Sequence, residues 1–172
     1  MTVILSVDQS IGGNTGYAVH SDSTLIYSGY EDFKGYRTQS QRLKRFLFVF
    51  KKLRDRYNPN IAICELVHAF RPQKFANTSL ASTILLAKTI GLMQVVLPEE
   101  VDLWMANTST WKARVLGNGR SGKQASIDYV KTFYRKEVND DEADAICIGK
   151  FLYDEIKMGG PVEVKNVLEL AK

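Results

Sequence analysis

The rhythm of hydrophobic positions changes several times along this chain of 172 residues. Three short runs open it, TVILSVD, TGYAVHS and TLIYSGY, each rich in β-branched or aromatic residues and separated by QSIGGN and DS. Such runs with turn chemistry between them predict three strands in an antiparallel meander. Across residues 38–57 the period becomes helical, with Leu43, Phe46, Leu47, Phe50, Leu53 and Tyr57 on one face, until Asn58-Pro59 stops it. IAICELV (61–67) reads as a fourth strand. A polar loop (68–77) then leads into TSLASTILLAKTIGLMQVVL (78–97), helical and apolar on more than one face, the pattern of a helix deeply buried or shared with a partner. VDLWMAN (101–107) predicts a fifth strand, STWKARVL (109–116) a short helix, 121–135 another helix and 140–158 a last long one. A meander followed by strand and helix in alternation implies an α/β fold, a mixed central sheet covered by helices. With no internal repeat and no linker composition, residues 1–172 are expected to form a single domain.

Composition adds limits. At 45% hydrophobic residues the chain can bury an ordinary core, which excludes a disordered protein. Cys64 and Cys147 sit in apolar runs without C-x-x-C spacing, so neither a disulfide framework nor a zinc site is indicated. No N-terminal segment has the order of a signal peptide, and the longest apolar stretches are broken by Lys88 and Gln94. The expectation is a cytoplasmic protein with reduced thiols and no membrane partner.

The formal charge of +4 is strongly segregated. Residues 33–57 carry nine cations, among them Arg37, Lys44 and Lys51, against a single Asp55. A second basic stretch holds Lys112, Arg114, Arg120, Lys123, Lys131, Arg135 and Lys136 against Asp128; the sign then reverses at Glu137, Asp140, Asp141, Glu142 and Asp144. Basic surface around a small acidic cluster suits an enzyme that grips a polyanion and holds metal ions against it.

The acidic residues form the leading chemical constellation. Asp8 ends the first predicted strand, Glu65 lies near the end of the fourth, and Asp141 and Asp144 stand in the first turns of the last helix. Residues three apart share a helix face, so Asp141 and Asp144 point together while Glu142 turns away. If strands one and four are neighbours through a right-handed crossover, Asp8 and Glu65 emerge side by side. Four carboxylates in one place imply bound cations; two hard divalent ions, about 4 Å apart, are the usual device for phosphodiester hydrolysis. By contrast GNGRSGKQ (117–124) is a poor P-loop: its last position is Gln124 instead of Ser or Thr, and a basic amphipathic piece precedes it where a buried strand belongs. No nucleotide cofactor is expected, and Lys123 is free to serve a different phosphate.

The order ILSVDQSIGGNTGYAV, IAICELV, STWKARVLGNGRSGKQASIDYV and DDEADAICIG resembles the RuvC family of Holliday junction resolvases over nearly the whole chain. The family pattern of an Asp after the first strand before Thr-Gly, a Glu in an apolar strand, and Asp-x-x-Asp-Ala opening the last helix matches Asp8, Glu65, Asp141 and Asp144. Two family lysines around a Gly-x-Gly turn match Lys112 and Lys123, with Arg114 and Arg120 as further DNA contacts. The resemblance implies an RNase H-like fold with a five-stranded sheet in the order 3-2-1-4-5, a homodimer, and magnesium-dependent paired nicks across a four-way junction. Two ions per site, magnesium or manganese, are implied. DQSIGGNTG replaces the Asp-Pro-Gly-Ser opening of cellular members, and His68 stands where they carry an aromatic that helps open the junction, with Phe70 two further on. These departures and the short C-terminus resemble phage-encoded members. Competing readings are an RNase H-like nuclease or strand-transfer enzyme with another substrate, a non-catalytic junction-binding module, and an actin-like or sugar-kinase-like ATPase. The last needs a second comparable domain that 172 residues do not supply.

Overall fold

The structure, a computed structural model, describes residues 1–66, 80–159 and 164–166. The predicted meander forms as β1 (Val3–Asp8), β2 (Asn14–Ser21) and β3 (Thr24–Asp32), each antiparallel to its neighbour. α1 (Gln39–Tyr57) begins at a capping box in which Thr38 and Gln41 satisfy each other's free N–H groups. It ends where Asn58 takes the left-handed conformation, φ 44°, directly before Pro59. β4 (Ile61–Glu65) then lies parallel to β1, followed by α2 (Leu80–Val96) and β5 (Asp102–Ala106), parallel to β4. Asn107 caps α3 (Thr108–Leu116); α4 (Lys123–Tyr134) and α5 (Asp140–Lys157) complete the helices.

The sheet order is β3-β2-β1-β4-β5, as expected, and a short β6 (Val164–Asn166) extends it antiparallel to β5. Three residues are too few for a period-2 pattern, so that strand had no sequence signal. The expected helix at 78–97 begins, among the described residues, at Leu80.

Period-2 alternation sorts the sheet into two faces. Leu5, Val7, Tyr17, Val19 and Cys64 pack under α1 and α2 with Phe46, Phe50 and Met93. Ile4, Ala18 and Ile63 face α5, packing with Trp111, Ile146, Phe151 and Leu152. The α5 face is unusually close, because small residues meet across it. Ser6 Oγ donates to the Ala145 carbonyl at 2.7 Å, and a Cβ on Gly149 would stand 2.5 Å from His20 Nδ1. Burial there holds the His20 pKa down to about 4, so the ring is a neutral core group. Both cysteines are buried and unpaired with each other. Among the described residues no helix is long and apolar enough to cross a membrane.

Candidate active site

Strand parity decides where the acidic residues go. Asp8 continues the alternation of Ile4 and Ser6, and Glu65 that of Ile63, so both project onto the face covered by α5. The parallel register of Val7 with Cys64 sets the two strand ends level. Asn139 caps α5 by accepting from Glu142 N at 2.8 Å, which starts the helix at this end of the sheet and brings Asp141 and Asp144 over it.

The electrostatics record the gathering. Burial first, then the charges of Glu65, Asp144, Asp141 and Asp140, lift the Asp8 carboxyl well above its ordinary range. Burial raises Glu65, with Asp144 adding to the rise, against the Trp111 N–H, Lys112 and the Thr108 hydroxyl. Asp141 is raised by burial and by Asp140, opposed by Asn14 and Lys123. Asp144 is likewise raised by burial, opposed by Ser126, Lys112 and Lys123. Its Oδ1 is buried and has no hydrogen-bond partner among the described residues. An unsatisfied buried carboxylate oxygen is costly in a protein interior and is the donor a hard cation takes. Among the described residues no three acidic, cysteine or histidine side chains are closed into a ready metal site.

Glu65 is the most constrained member. Trp111 Nε1 donates to its Oε1 at 2.7 Å. Its backbone is clamped by the Gln9 carboxamide, which donates from Nε2 to the Glu65 carbonyl (2.7 Å) and accepts from the Glu65 N–H (3.2 Å). Gln9 thus stands in for the strand partner that β1 no longer offers. Trp111 is fully buried, and the sequence carried no sign of its bond to Glu65; the apolar face around a helix tryptophan looks the same with or without a carboxylate at its N–H. Gln9 was legible only as a departure from the family's opening.

The basic residues divide. Lys112 donates to the Ser121 carbonyl at 3.1 Å, sits 5.3 Å from the Trp111 ring centre, and lowers the Glu65 and Asp144 pKa values. Lys123 ion-pairs with Asp140, an acid that was not assigned to the cluster; the pair raises the lysine and lowers the carboxyl. Arg114 is not brought to the site. Its guanidinium faces Glu155 at 3.7 Å, about 16 Å along α5 from Asp144 at 1.5 Å per residue. Arg120 is exposed on the turn between α3 and α4, its N–H held by Asn118 Oδ1. His68 and Phe70 lie outside the described residues. GNGRSGKQ follows helix α3, not a strand: Gly117 ends α3 with φ 77° and Gly122 opens α4. That geometry removes the phosphate loop of a Walker site.

No family model matches the sequence, and no curated protein does. In three dimensions the chain is similar to Thermus thermophilus RuvC, with TM-score 0.73 and 16% identity over 96% of this chain and 100% of that one. It is similar to T. thermophilus RuvC in complex with a Holliday junction substrate, with TM-score 0.74 and 14% identity over 97% and 100%. The yeast mitochondrial Holliday junction resolvase matches with TM-score 0.58 and 15% identity, over 87% of this chain and 77% of that one. The architecture is therefore the RuvC, RNase H-like fold.

Proposed function

We propose that this chain is a metal-dependent, structure-selective DNA endonuclease that resolves Holliday junctions, and other branched DNA, by paired nicks. The observation that carries the reading is the convergence of Asp8, Glu65, Asp141 and Asp144, from three separate elements, on one face of the sheet beside Lys112 and Lys123. The fold shared with RuvC, one of whose structures is in complex with a Holliday junction substrate, supports the choice of substrate.

The four carboxylates offer hard oxygen donors, and the unpartnered Asp144 Oδ1 fits a divalent ion. Magnesium or manganese, when bound, supplies polarisation of the phosphodiester and an acidified water. Burial and mutual repulsion keep the carboxylates poised to take up positive charge. Trp111 and Gln9 fix the direction of Glu65, and support of this kind sharpens ligand geometry. Lys112 and Lys123 place fixed positive charge where phosphate charge develops. Arg120 and the segment containing His68 and Phe70 are assigned to DNA outside the scissile phosphate.

Paired nicks need two sites related by symmetry, hence a homodimer. An apolar groove of about 620 Å³ between α1 and α2, lined by Leu43, Leu47, Leu92 and Val95 among others, supports α2 as the self-association face. Val95 there is 83% exposed. The protein is assigned to the cytoplasm, where its substrate lies.

The test is incubation of purified protein with labelled four-way junction, fork and linear duplex, with and without magnesium. Symmetric nicks in the junction that require the ion are expected. Cutting that persists in excess chelator, or that favours linear duplex, would overturn the reading.

A further inference from the structure

Most cations nominated from the sequence as DNA contacts are already engaged with the protein itself: Lys112 with a backbone carbonyl, Lys123 with Asp140, Arg114 with Glu155. A different basic surface is not. An open groove of about 620 Å³ lies between the β3–α1 loop and the first turns of α1, lined by Gly35, Tyr36, Arg37, Gln41, Lys44 and Arg45. Lys34, Arg37 and Lys44 are exposed, and among the described residues none of them is in an ion pair. Of the two acids nearby in sequence, Glu31 is neutralised by Nε and Nη2 of Arg45 at 2.7 and 2.9 Å; Asp32 accepts only from the Lys34 backbone N–H, which leaves one exposed acid against three exposed cations. α1 has no acid in its first turn.

This surface is built and placed. Phe33 is fully buried, its N–H donates to the Gly13 carbonyl at 2.9 Å, and Arg42 binds the Tyr36 carbonyl through Nε at 2.9 Å. The loop is therefore braced from both sides, and its free cations stand on a fixed frame. Arg42 Nη1 also reaches the Ile11 carbonyl at 3.4 Å, in the turn that leaves Asp8. β3 ends at Asp32 opposite Asn14, at the end of the sheet where Asp8 pairs with Gly16. The groove thus opens at the same end of the sheet as the carboxylates, but on the α1 side instead of the α5 side. Lys51, seven residues after Lys44, continues the basic face about 10 Å down the helix.

We propose that this groove and the face of α1 beyond it form a docking surface for the phosphate backbone of a duplex arm, beside the cleavage site and outside it. The inference rests on the nuclease reading. Lysines and arginines without opposing carboxylates neutralise phosphates and release their counterions. They fix the position of a duplex without reading its bases. The two basic stretches of the sequence then have different tasks: α3 and α4 serve the scissile phosphate, and α1 carries the arm.

The test uses the full chain with Lys34→Ala and Arg37→Ala combined, both exposed and outside the cleavage machinery and the α1–α2 groove, with thermal melts to confirm the fold. Binding is measured in calcium, over a salt series, with a four-way junction bearing long arms and one with arms trimmed to less than a helical turn. For the long-armed junction the slope of log K against log salt should fall by about two. The trimmed junction should bind both proteins alike, and single-turnover cleavage at saturation should be unchanged. Equal affinity and slope for variant and parent on long arms would overturn the proposal, as would an equal loss on trimmed arms, which would put the groove at the crossover. A shift in sedimentation by the variant would assign the surface to a second copy instead. If neither protein cuts branched DNA but the variant still loses affinity for long duplex, the nuclease reading fails and the docking surface stands.

Discussion

A Cβ built on Gly16 would lie 1.9 Å from the carbonyl oxygen of Asp141 and 2.9 Å from the Glu142 nitrogen. Gly16 is paired with Asp8 in the antiparallel register, so the first turn of α5 rests directly on the strand beside the first carboxylate. Only a residue with no side chain permits that approach, although its backbone needs no special conformation. Both contacting atoms belong to the helix backbone and cannot rotate away. On the other side, Glu142 is held by Lys136 at 2.6 Å, and Lys136 also binds Ser28 of β3. The helix start is thereby pinned over the sheet.

Gly16→Ala should therefore lift α5 and separate Asp141 and Asp144 from Asp8. Overpacking of this kind costs about 1–3 kcal/mol of stability. Cleavage should fall much further than the melting temperature suggests, at temperatures where the variant is fully folded. Cleavage at the parent's rate would show that the close approach does not position the carboxylates.

Replacing Asp8, Glu65, Asp141 or Asp144 by the amide should abolish cleavage while junction binding is kept or tightened, since negative charge facing phosphates is removed. Gel-shift titration beside a cleavage time course reads both. Undiminished cutting by Asp8→Asn would remove it from the site.

Gln9→Met and Trp111→Phe keep bulk and delete the bonds that hold Glu65. Loss of such supporting partners typically weakens metal affinity by about 10–100-fold. Calorimetric titration with manganese should show the loss, while junction binding in calcium stays near the parent value. Unchanged manganese affinity in both variants would restrict these residues to folding.

Lys123→Ala should slow the chemical step by the equivalent of about 2–4 kcal/mol, by analogy with other fixed donors. Asp140→Asn, which frees the ammonium while leaving it in place, should do less harm. Calorimetry with ATP should register no binding to either variant or to the parent; nucleotide affinity lost in Lys123→Ala would restore the P-loop reading.

The four carboxyls of the cluster have folded-state pKa values above their unfolded ones, burial being the largest cause in each. Each then binds its proton more tightly in the folded chain, so metal-free stability should decline as pH rises from the unfolded carboxylate range through the raised values. Asp140, lowered by Lys123, has the opposite sign, and its contribution is lost only as pH falls through its lowered value. Denaturant melts in chelator across this range should show the decline, and manganese should reverse it. A chelated protein that gains stability throughout the same rise would contradict the buried-charge account.

The sequence by itself determined the elements and most of their order. Alternating runs gave β1 to β5, the spacing of Phe46, Phe50 and Leu53 gave α1, and Asn58-Pro59 gave its end, because these signals lie within a few residues and depend on local backbone preference. The same locality made the four acids readable: each sits where a strand stops or a helix starts. What only the tertiary structure decided is which of their neighbours meet. Gly16 beneath Asp141, Gln9 and Trp111 on Glu65, Asp140 on Lys123 and Arg114 turned to Glu155 all depend on how α3, α4 and α5 settle on the sheet. A hydrogen bond between residues 56 or 46 positions apart, as for Gln9 and Trp111 with Glu65, leaves no periodic mark on a single chain, because the contact is fixed by close packing between elements and not by the backbone of either one.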